Sequence, residues 1–149
     1  MIKPVLLTIT LVFTLFSAAV ANAQGDMQAK KYDNPKWMRI EMMKFKEGKT
    51  SRSNEIINNY FLAACQKSNT PAPALVDIIT GDWDLLAIWN MEGGIEEMNW
   101  ETSPNDVKWM KAINDIAGSD EKAKSIIDEF SSIIERKTSY IGRSVNAKL

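Results

Sequence analysis

Three aspartates come closest, by type and spacing, to a catalytic or metal-binding arrangement. Asp82 and Asp84 stand two positions apart, and Asp77 lies beside them across a predicted hairpin. Clustered carboxylates can bind calcium or act as a general base. Acidic residues at turns are more often turn formers that bond to the local backbone, and no EF-hand spacing follows these. We therefore favour a turn-forming role and leave open whether the three aspartates form a site.

A second group of candidates is aromatic and would line a ligand pocket. In an extended strand, Trp83 and Trp89 share one face with Leu85 and Ala87, because alternate side chains point the same way. That face is either a pocket wall or part of the core. We favour a core position for Leu85 and Ala87, and we consider both tryptophans as candidates for ligand contact.

Polar residues complete the candidate ligand-binding set. Arg39 on the first predicted strand and Tyr60 on the first predicted helix are expected nearest to the pocket, and Asn90 follows Trp89. Other roles are open for two of them. Arg39 could form a surface ion pair with Glu41, and Tyr60 could be a core tyrosine with a hydrated hydroxyl.

The absence of histidine removes several kinds of active site. The chain contains no histidine and a single cysteine, Cys65. Histidine triads, histidine-ligated haem and the usual zinc sites cannot be built without imidazole. Methionines such as Met38 and Met42 could bind copper(I) outside the cytoplasm, but core filling explains them equally well. We expect no metal and no cofactor.

Residues 1–23 have the composition of a secretory signal peptide. Lys3 is followed by an apolar run over 5–20, and Ala21 and Ala23 are the small residues that a signal peptidase requires before Gln24. The alternative is a membrane anchor, but the run is shorter than the roughly 20 residues that a spanning helix needs. We expect cleavage, a periplasmic or secreted location and no stable membrane association.

The remaining chain, 24–149, is long enough for one domain with a single core. The full chain has a formal net charge of −1. Such a balance gives no electrostatic reason to expect nucleic acid or an anionic membrane as a partner.

Hydrophobic periodicity and turn residues divide this part into elements. The predicted elements are a polar leader at 24–36, strands at 37–46, 75–79, 83–91 and 137–143, helices at 51–67, 104–117 and 120–134, and a tail at 145–149. The apolar phase of the first strand shifts near Met42 and Met43, which predicts a bulge or a sharp twist. Strand, helix, two strands, helices and strand make the split βαβ order of an α+β ferredoxin-like sandwich, with a four-stranded antiparallel sheet and an extra helix, over 37–144.

Two segments resemble a known superfamily. Residues 37–49 look like the opening strand and turn of dimeric α+β barrel domains, which include antibiotic-biosynthesis monooxygenase-like, NIPSNAP-like and AsnC-type effector domains. The segment 80–86, Thr-Gly-Asp-Trp-Asp-Leu-Leu, resembles the entry into their central hairpin strand. The resemblance covers about 36–144, and it implies two protomers whose sheets form a shared barrel, with a pocket between each sheet and its helices.

The resemblance implies several activities, and the sequence argues against some of them. Members include cofactor-free oxygenases, haem-degrading enzymes, haem-containing dismutases and ligand sensors. Most of the haem enzymes use histidine, which this chain lacks. The AsnC-type sensors carry a DNA-binding domain where this chain has its predicted signal peptide, so we do not expect a transcriptional role.

Two functions therefore remain, and we favour the one without catalysis. The first is binding of a small apolar or aromatic ligand. The alternative is a cofactor-free oxygenase-like enzyme, in which Tyr60, Trp83 or Asn90 would orient or deprotonate an aromatic substrate. Without histidine, a base at neutral pH requires an aspartate or tyrosine with a strongly shifted pKa.

The expected assembly is a symmetric homodimer. The predicted strands 75–79 and 83–89 place apolar side chains on both faces of the sheet, and a second copy would cover the face without helices. In the alternative, the helix at 104–117 or the leader at 24–36 covers that face within one chain.

Overall fold

The structure, a computed structural model, describes residues 28–144. The chain divides between Asp33 and Asn34, and the fold belongs to the part that begins at Asn34. The predicted signal peptide, 1–23, and the predicted tail, 145–149, lie outside the described residues. Within 28–144, no helix is both long and apolar enough to cross a membrane.

Four strands form one antiparallel sheet. They are β1 (Trp37–Phe45), β2 (Ala74–Asp77), β3 (Leu85–Met91) and β4 (Ile134–Arg143), in the order β2-β3-β1-β4. Strands β1 and β3 lie at the centre, and each connects to an edge strand through helical segments or a hairpin. This is the ferredoxin-like α+β arrangement, so the predicted fold class is confirmed.

Three helices lie on one side of the sheet. Helix α1 runs through an α-helical segment, Thr50–Ile56, a π-helical segment, Ile57–Leu62, and a second α-helical segment, Ala63–Ser68. Helices α2 (Pro104–Ala117) and α3 (Asp120–Ile133) follow β3, after a 3-10 helix at Gly94–Asn99.

The ends of α2 follow from local chemistry that the sequence displays. The Ser103 hydroxyl accepts a hydrogen bond from the Asp106 N–H at 3.1 Å, and the Asp106 carboxylate accepts one from the Ser103 N–H at 2.8 Å. This capping box satisfies two donors that the helix itself leaves unpaired. Pro104 occupies the first helical turn, and Gly118 ends α2 in the left-handed conformation at φ 89°.

The two faces of the sheet have different neighbours. On β1, Met43 and Phe45 are buried beneath the helices. The opposite face, here called the open face, has Ile40 at its centre, directly opposite Ile88 and Tyr140 on the neighbouring strands. The open face also includes Met38, Met42, Val76 and Leu86.

The buried side chains form two groups on the helix side. Residues from β1, β3, α1 and α3 make the first: Met43, Phe45, Ile56, Ile57, Leu85, Ala87 and Ile133. Residues from the three helices make the second: Ala64, Ala112, Ile113 and Ala123. Helix α2 therefore packs on α1 and α3, so it does not cover the open face.

Several element boundaries differ from those predicted. The hairpin strands are shorter than expected, and the connection between Asp77 and Leu85 is a loop in which Ile79 is 89% exposed. Ile134 begins β4 and does not end a helix. The predicted bulge is present, but the register shifts between Lys44 and Phe45. The apolar pattern changes earlier in the sequence because the helix side of β1 carries Arg39 and Glu41 before it carries Met43 and Phe45.

Candidate functional site

A cavity of about 460 Å³ lies between the helix side of the sheet and the helices. Its floor is formed by β1 and β3, and its walls come from the π-helical segment of α1, from α2 and from the end of α3. The main apolar contributors are Phe61, Leu62, Leu85, Ala87, Trp89 and Trp109. The volume falls in the range of pockets that bind small molecules.

The π-helical segment shapes one wall of this cavity. In a π-helix, residues about five positions apart are stacked along one face, which brings Ile57 and Leu62 to the same side of α1, with Phe61 beside them. The Trp109 indole Nε1 donates a hydrogen bond to the Phe61 carbonyl oxygen at 3.2 Å. This bond ties α2 to the irregular part of α1.

Aromatic contacts hold the Phe61 ring in place. The ring centre lies 5.6 Å from that of Trp109 and 4.9 Å from that of Phe130, and both pairs are edge-on. Edge-to-face pairs at these distances are favourable beyond the burial of their area. The aromatic wall is therefore fixed by both α2 and α3.

A charged group stands on the sheet where β1 meets β4, and we call it the Arg39–Glu41–Lys137 cluster. Glu41 Oε1 lies 3.8 Å from Arg39 Nε, and Glu41 Oε2 lies 3.5 Å from Lys137 Nζ. The Glu41 side chain is 15% exposed. All three residues line the cavity, so the sheet side of the cavity carries charged groups beside its apolar residues.

Trp89 positions the arginine of this cluster. Arg39 and Trp89 are directly opposite each other on β1 and β3, and the guanidinium carbon lies 4.7 Å from the centre of the indole ring. A guanidinium over the face of a tryptophan ring is held there by cation–π attraction.

Three of the five predicted ligand-binding residues line the cavity. Arg39 and Trp89 do so from the helix side of the sheet, and Asn90 borders the cavity near the end of β3. Tyr60 lies outside the lining and packs against the group of buried residues shared by the three helices. Trp83 precedes β3 and stacks against Arg136, whose guanidinium carbon is 4.4 Å from the ring centre.

The three aspartates do not converge. Asp84 is engaged in the sheet, because its carboxylate accepts a hydrogen bond from the Phe45 N–H at 2.7 Å and one from Lys44 Nζ at 3.3 Å. Asp77 and Asp82 are exposed. Among residues 28–144, no three acidic, cysteine or histidine side chains come together in a way that could hold a metal ion.

Sequence reasoning missed part of the cavity. Trp109 and Leu62 were not singled out, and Lys137 was assigned only to the closing strand. Glu41 was considered only as an ion-pair partner of Arg39. Lys137 is opposite Met43 in the pairing of β1 with β4, so it shares a face with Glu41. A single sequence does not give the register between two strands, so this position could not be predicted.

Comparison with known proteins shows a likeness of fold. No protein-family model matches the chain, and no curated protein matches it in sequence. One similar solved structure is a NIPSNAP family protein from Agrobacterium tumefaciens strain C58, with 10% identity, a TM-score of 0.51, and coverage of 83% of this chain and 97% of that one. A second NIPSNAP family protein from the same strain, described as having unknown function, has 11% identity, a TM-score of 0.51, and coverage of 80% and 97%. The resemblance inferred from the sequence is therefore confirmed at the level of the fold.

Proposed function

We propose that this protein binds a small apolar or aromatic molecule in the cavity between its sheet and its helices. The observation that carries the proposal is the cavity of about 460 Å³ beside an otherwise packed core. Sites for small ligands are typically concave and largely apolar with a few polar groups, and this cleft combines an aromatic wall with a charged end.

A bound ligand would remove from water the apolar side chains of the cavity wall that are partly exposed. Phe61, Leu62 and Trp89 pack against the core and yet remain partly exposed. Removal of apolar surface from water contributes about 25 cal/mol per Å². A flat apolar ligand against these side chains gains this contribution on both its own surface and theirs.

We propose binding and not catalysis. Of the three residues considered for an oxygenase-like reaction, Tyr60 and Trp83 lie outside the cavity lining, and Asn90 is an amide that cannot serve as a base.

Two further proposals concern location and assembly. The composition of residues 1–23 supports export to the periplasm or the medium, and mass spectrometry should find a mature N-terminus at or near Gln24, whereas a full-length chain in the membrane would contradict export. The apolar open face supports a symmetric homodimer in which the two sheets face each other.

Binding can be tested with a neutral aromatic probe, 2-naphthol, and a variant with a filled cavity. Wild-type protein should bind the probe, with quenching of tryptophan fluorescence and a higher melting temperature. Leu62→Trp adds a ring in the cavity wall and should weaken binding at least tenfold. Ile79→Trp adds the same ring on an exposed loop and should bind as the wild type does. Equal binding by Leu62→Trp, or no binding by the wild type, would reject the proposal.

A further inference from the structure

The Arg39–Glu41–Lys137 cluster has hydrogen-bonding capacity that the protein does not use. Its two N–O distances, 3.8 Å and 3.5 Å, exceed the 2.7–3.2 Å of normal N–H···O bonds. The guanidinium has five N–H donors. Within residues 28–144, none of the donors of Arg39 or Lys137 reaches a protein acceptor at normal hydrogen-bond distance.

The geometry of Arg39 suits a planar acceptor. Its guanidinium carbon lies 4.7 Å from the centre of the Trp89 ring, so cation–π attraction holds the group beside the cavity, and a guanidinium can bind a carboxylate through two parallel hydrogen bonds. An aromatic ring attached to that carboxylate would extend toward Phe61 and Leu62 on the cavity wall.

The two cations of the cluster are its anion-binding groups. Arg39 and Lys137 both lie within 3.8 Å of Glu41, and the cluster carries one net positive charge. Three further carboxylates line the cavity, those of Glu92, Glu97 and Asp106, and all three residues are exposed, so that solvent and salt screen their charge. Attraction of an anion therefore depends on direct contact with the two cations and not on the charge of the cavity as a whole.

We infer that the ligand is an aromatic or apolar carboxylate whose acid group binds Arg39 and Lys137 while its apolar part fills the cavity. The inference rests on the proposed function and adds the chemical class of the ligand. Glu41 forms an ion pair with each of the two cations, and the ligand carboxylate competes with it for both of them.

The test compares three probes of matched shape at neutral pH: 2-naphthoate, 2-naphthol and 2-naphthylmethylamine, each measured by titration calorimetry. We expect naphthoate to bind at least tenfold more tightly than naphthol, and the amine to bind most weakly. Higher salt should weaken only naphthoate, because the cluster is partly exposed to solvent.

Variants of the cluster separate its role from general charge effects. Arg39→Gln should weaken naphthoate about tenfold, as expected for the loss of a charged hydrogen-bonding partner. Glu41→Gln should tighten the binding of naphthoate severalfold, because it removes the competing carboxylate. Neither change should alter naphthol binding by more than about twofold. Lys122→Gln, which removes one positive charge from an exposed position on α3, is the control and should leave all three probes unaffected.

The outcomes distinguish this inference from the proposed function. If naphthol binds as tightly as naphthoate, or if the amine binds most tightly, the inference that the ligand is a carboxylate is wrong. The proposal that the cavity binds a ligand is unaffected by either result. If Glu41→Gln weakens naphthoate, the competition between the two carboxylates is wrong and the inference fails. If no probe binds to wild-type protein, both proposals fall.

Discussion

Asp84 fixes the irregular end of β1. Its carboxylate accepts hydrogen bonds from the Phe45 N–H and from Lys44 Nζ, on either side of the register shift. Its backbone N–H donates to the Met43 carbonyl oxygen at 2.9 Å. A bulge leaves ladder groups without their usual partners, and this side chain supplies one of those partners.

Loss of the Asp84 carboxylate should therefore destabilise the fold. Asp84→Ala leaves the partly buried Phe45 N–H without its acceptor, which costs about 1–3 kcal/mol, and the urea midpoint should fall accordingly. Asp82→Ala, in the same loop but exposed, is the matched control and should change the free energy of unfolding by less than about 0.5 kcal/mol. Equal effects of the two substitutions would show that Asp84 is an ordinary turn residue.

At the scale of elements, an ion pair joins the first turn of α1 to α3. Arg52 donates from Nε to Glu129 Oε1 and from Nη2 to Glu129 Oε2, both at 2.7 Å. Hydrogen bonding from Arg52 lowers the pKa of Glu129 below its usual value, and the charges of Arg52 and Lys49 act in the same direction.

This pair predicts a pH dependence of stability. Because the pKa of Glu129 is lower in the folded state, its contribution is fully present above the unfolded value of about 4.3. The contribution is lost as pH falls through the lower folded value. Glu129→Gln should therefore reduce the loss of stability between neutral pH and about pH 3, measured as the shift of the urea midpoint. Glu135→Gln, on the exposed part of β4, should lose as much stability over this pH range as the wild type does. A Glu129→Gln profile identical to that of the wild type would contradict the role of the pair.

Elements with local signals were predictable from the sequence, and those that depend on distant contacts were not. The ends of α2 follow from Ser103, Pro104 and Gly118, all of which act within one turn of the helix. The π-helical segment has no such signal, because the Phe61 carbonyl is bonded by Trp109, 48 positions away. Strand β3 was predicted two residues too long, because Trp83 has strong β-propensity yet stacks against Arg136 outside the strand.

The same distinction applies to the candidate site. Alternation along one strand placed Leu85, Ala87 and Trp89 on one face, as the structure has them. The meeting of Arg39, Glu41 and Lys137 requires the register between β1 and β4, which involves residues far apart in sequence. Tyr60 has the helical spacing of a pocket residue, but the direction in which a helix face points depends on what packs against it, here α2.

At the scale of the whole molecule, the two faces of the sheet differ in what covers them. The helix face carries the core and the cavity. The open face is apolar without helical cover: Val76 is 48% exposed and Tyr140 is 54% exposed. Contiguous apolar patches larger than a few hundred Å² are rare on soluble monomers and usually mark an interface. A second copy presenting the same face would cover it symmetrically.

Residues on the two faces of β3 allow the proposed dimer to be tested. Ile88 lies at the centre of the open face, opposite Ile40, whereas Leu85 is 2% exposed on the helix side. Ile88→Lys should give a folded monomer, because the charge would lie in the proposed interface and outside the core of the protomer. Leu85→Lys should unfold the protein, since burial of an unpaired charge costs more than the marginal stability of a domain can offset. Light scattering and circular dichroism on residues 24–149 measure both results. A monomeric wild type at micromolar concentrations would reject the dimer and favour cover by the leader, and a dimeric Ile88→Lys variant would place the interface on another surface.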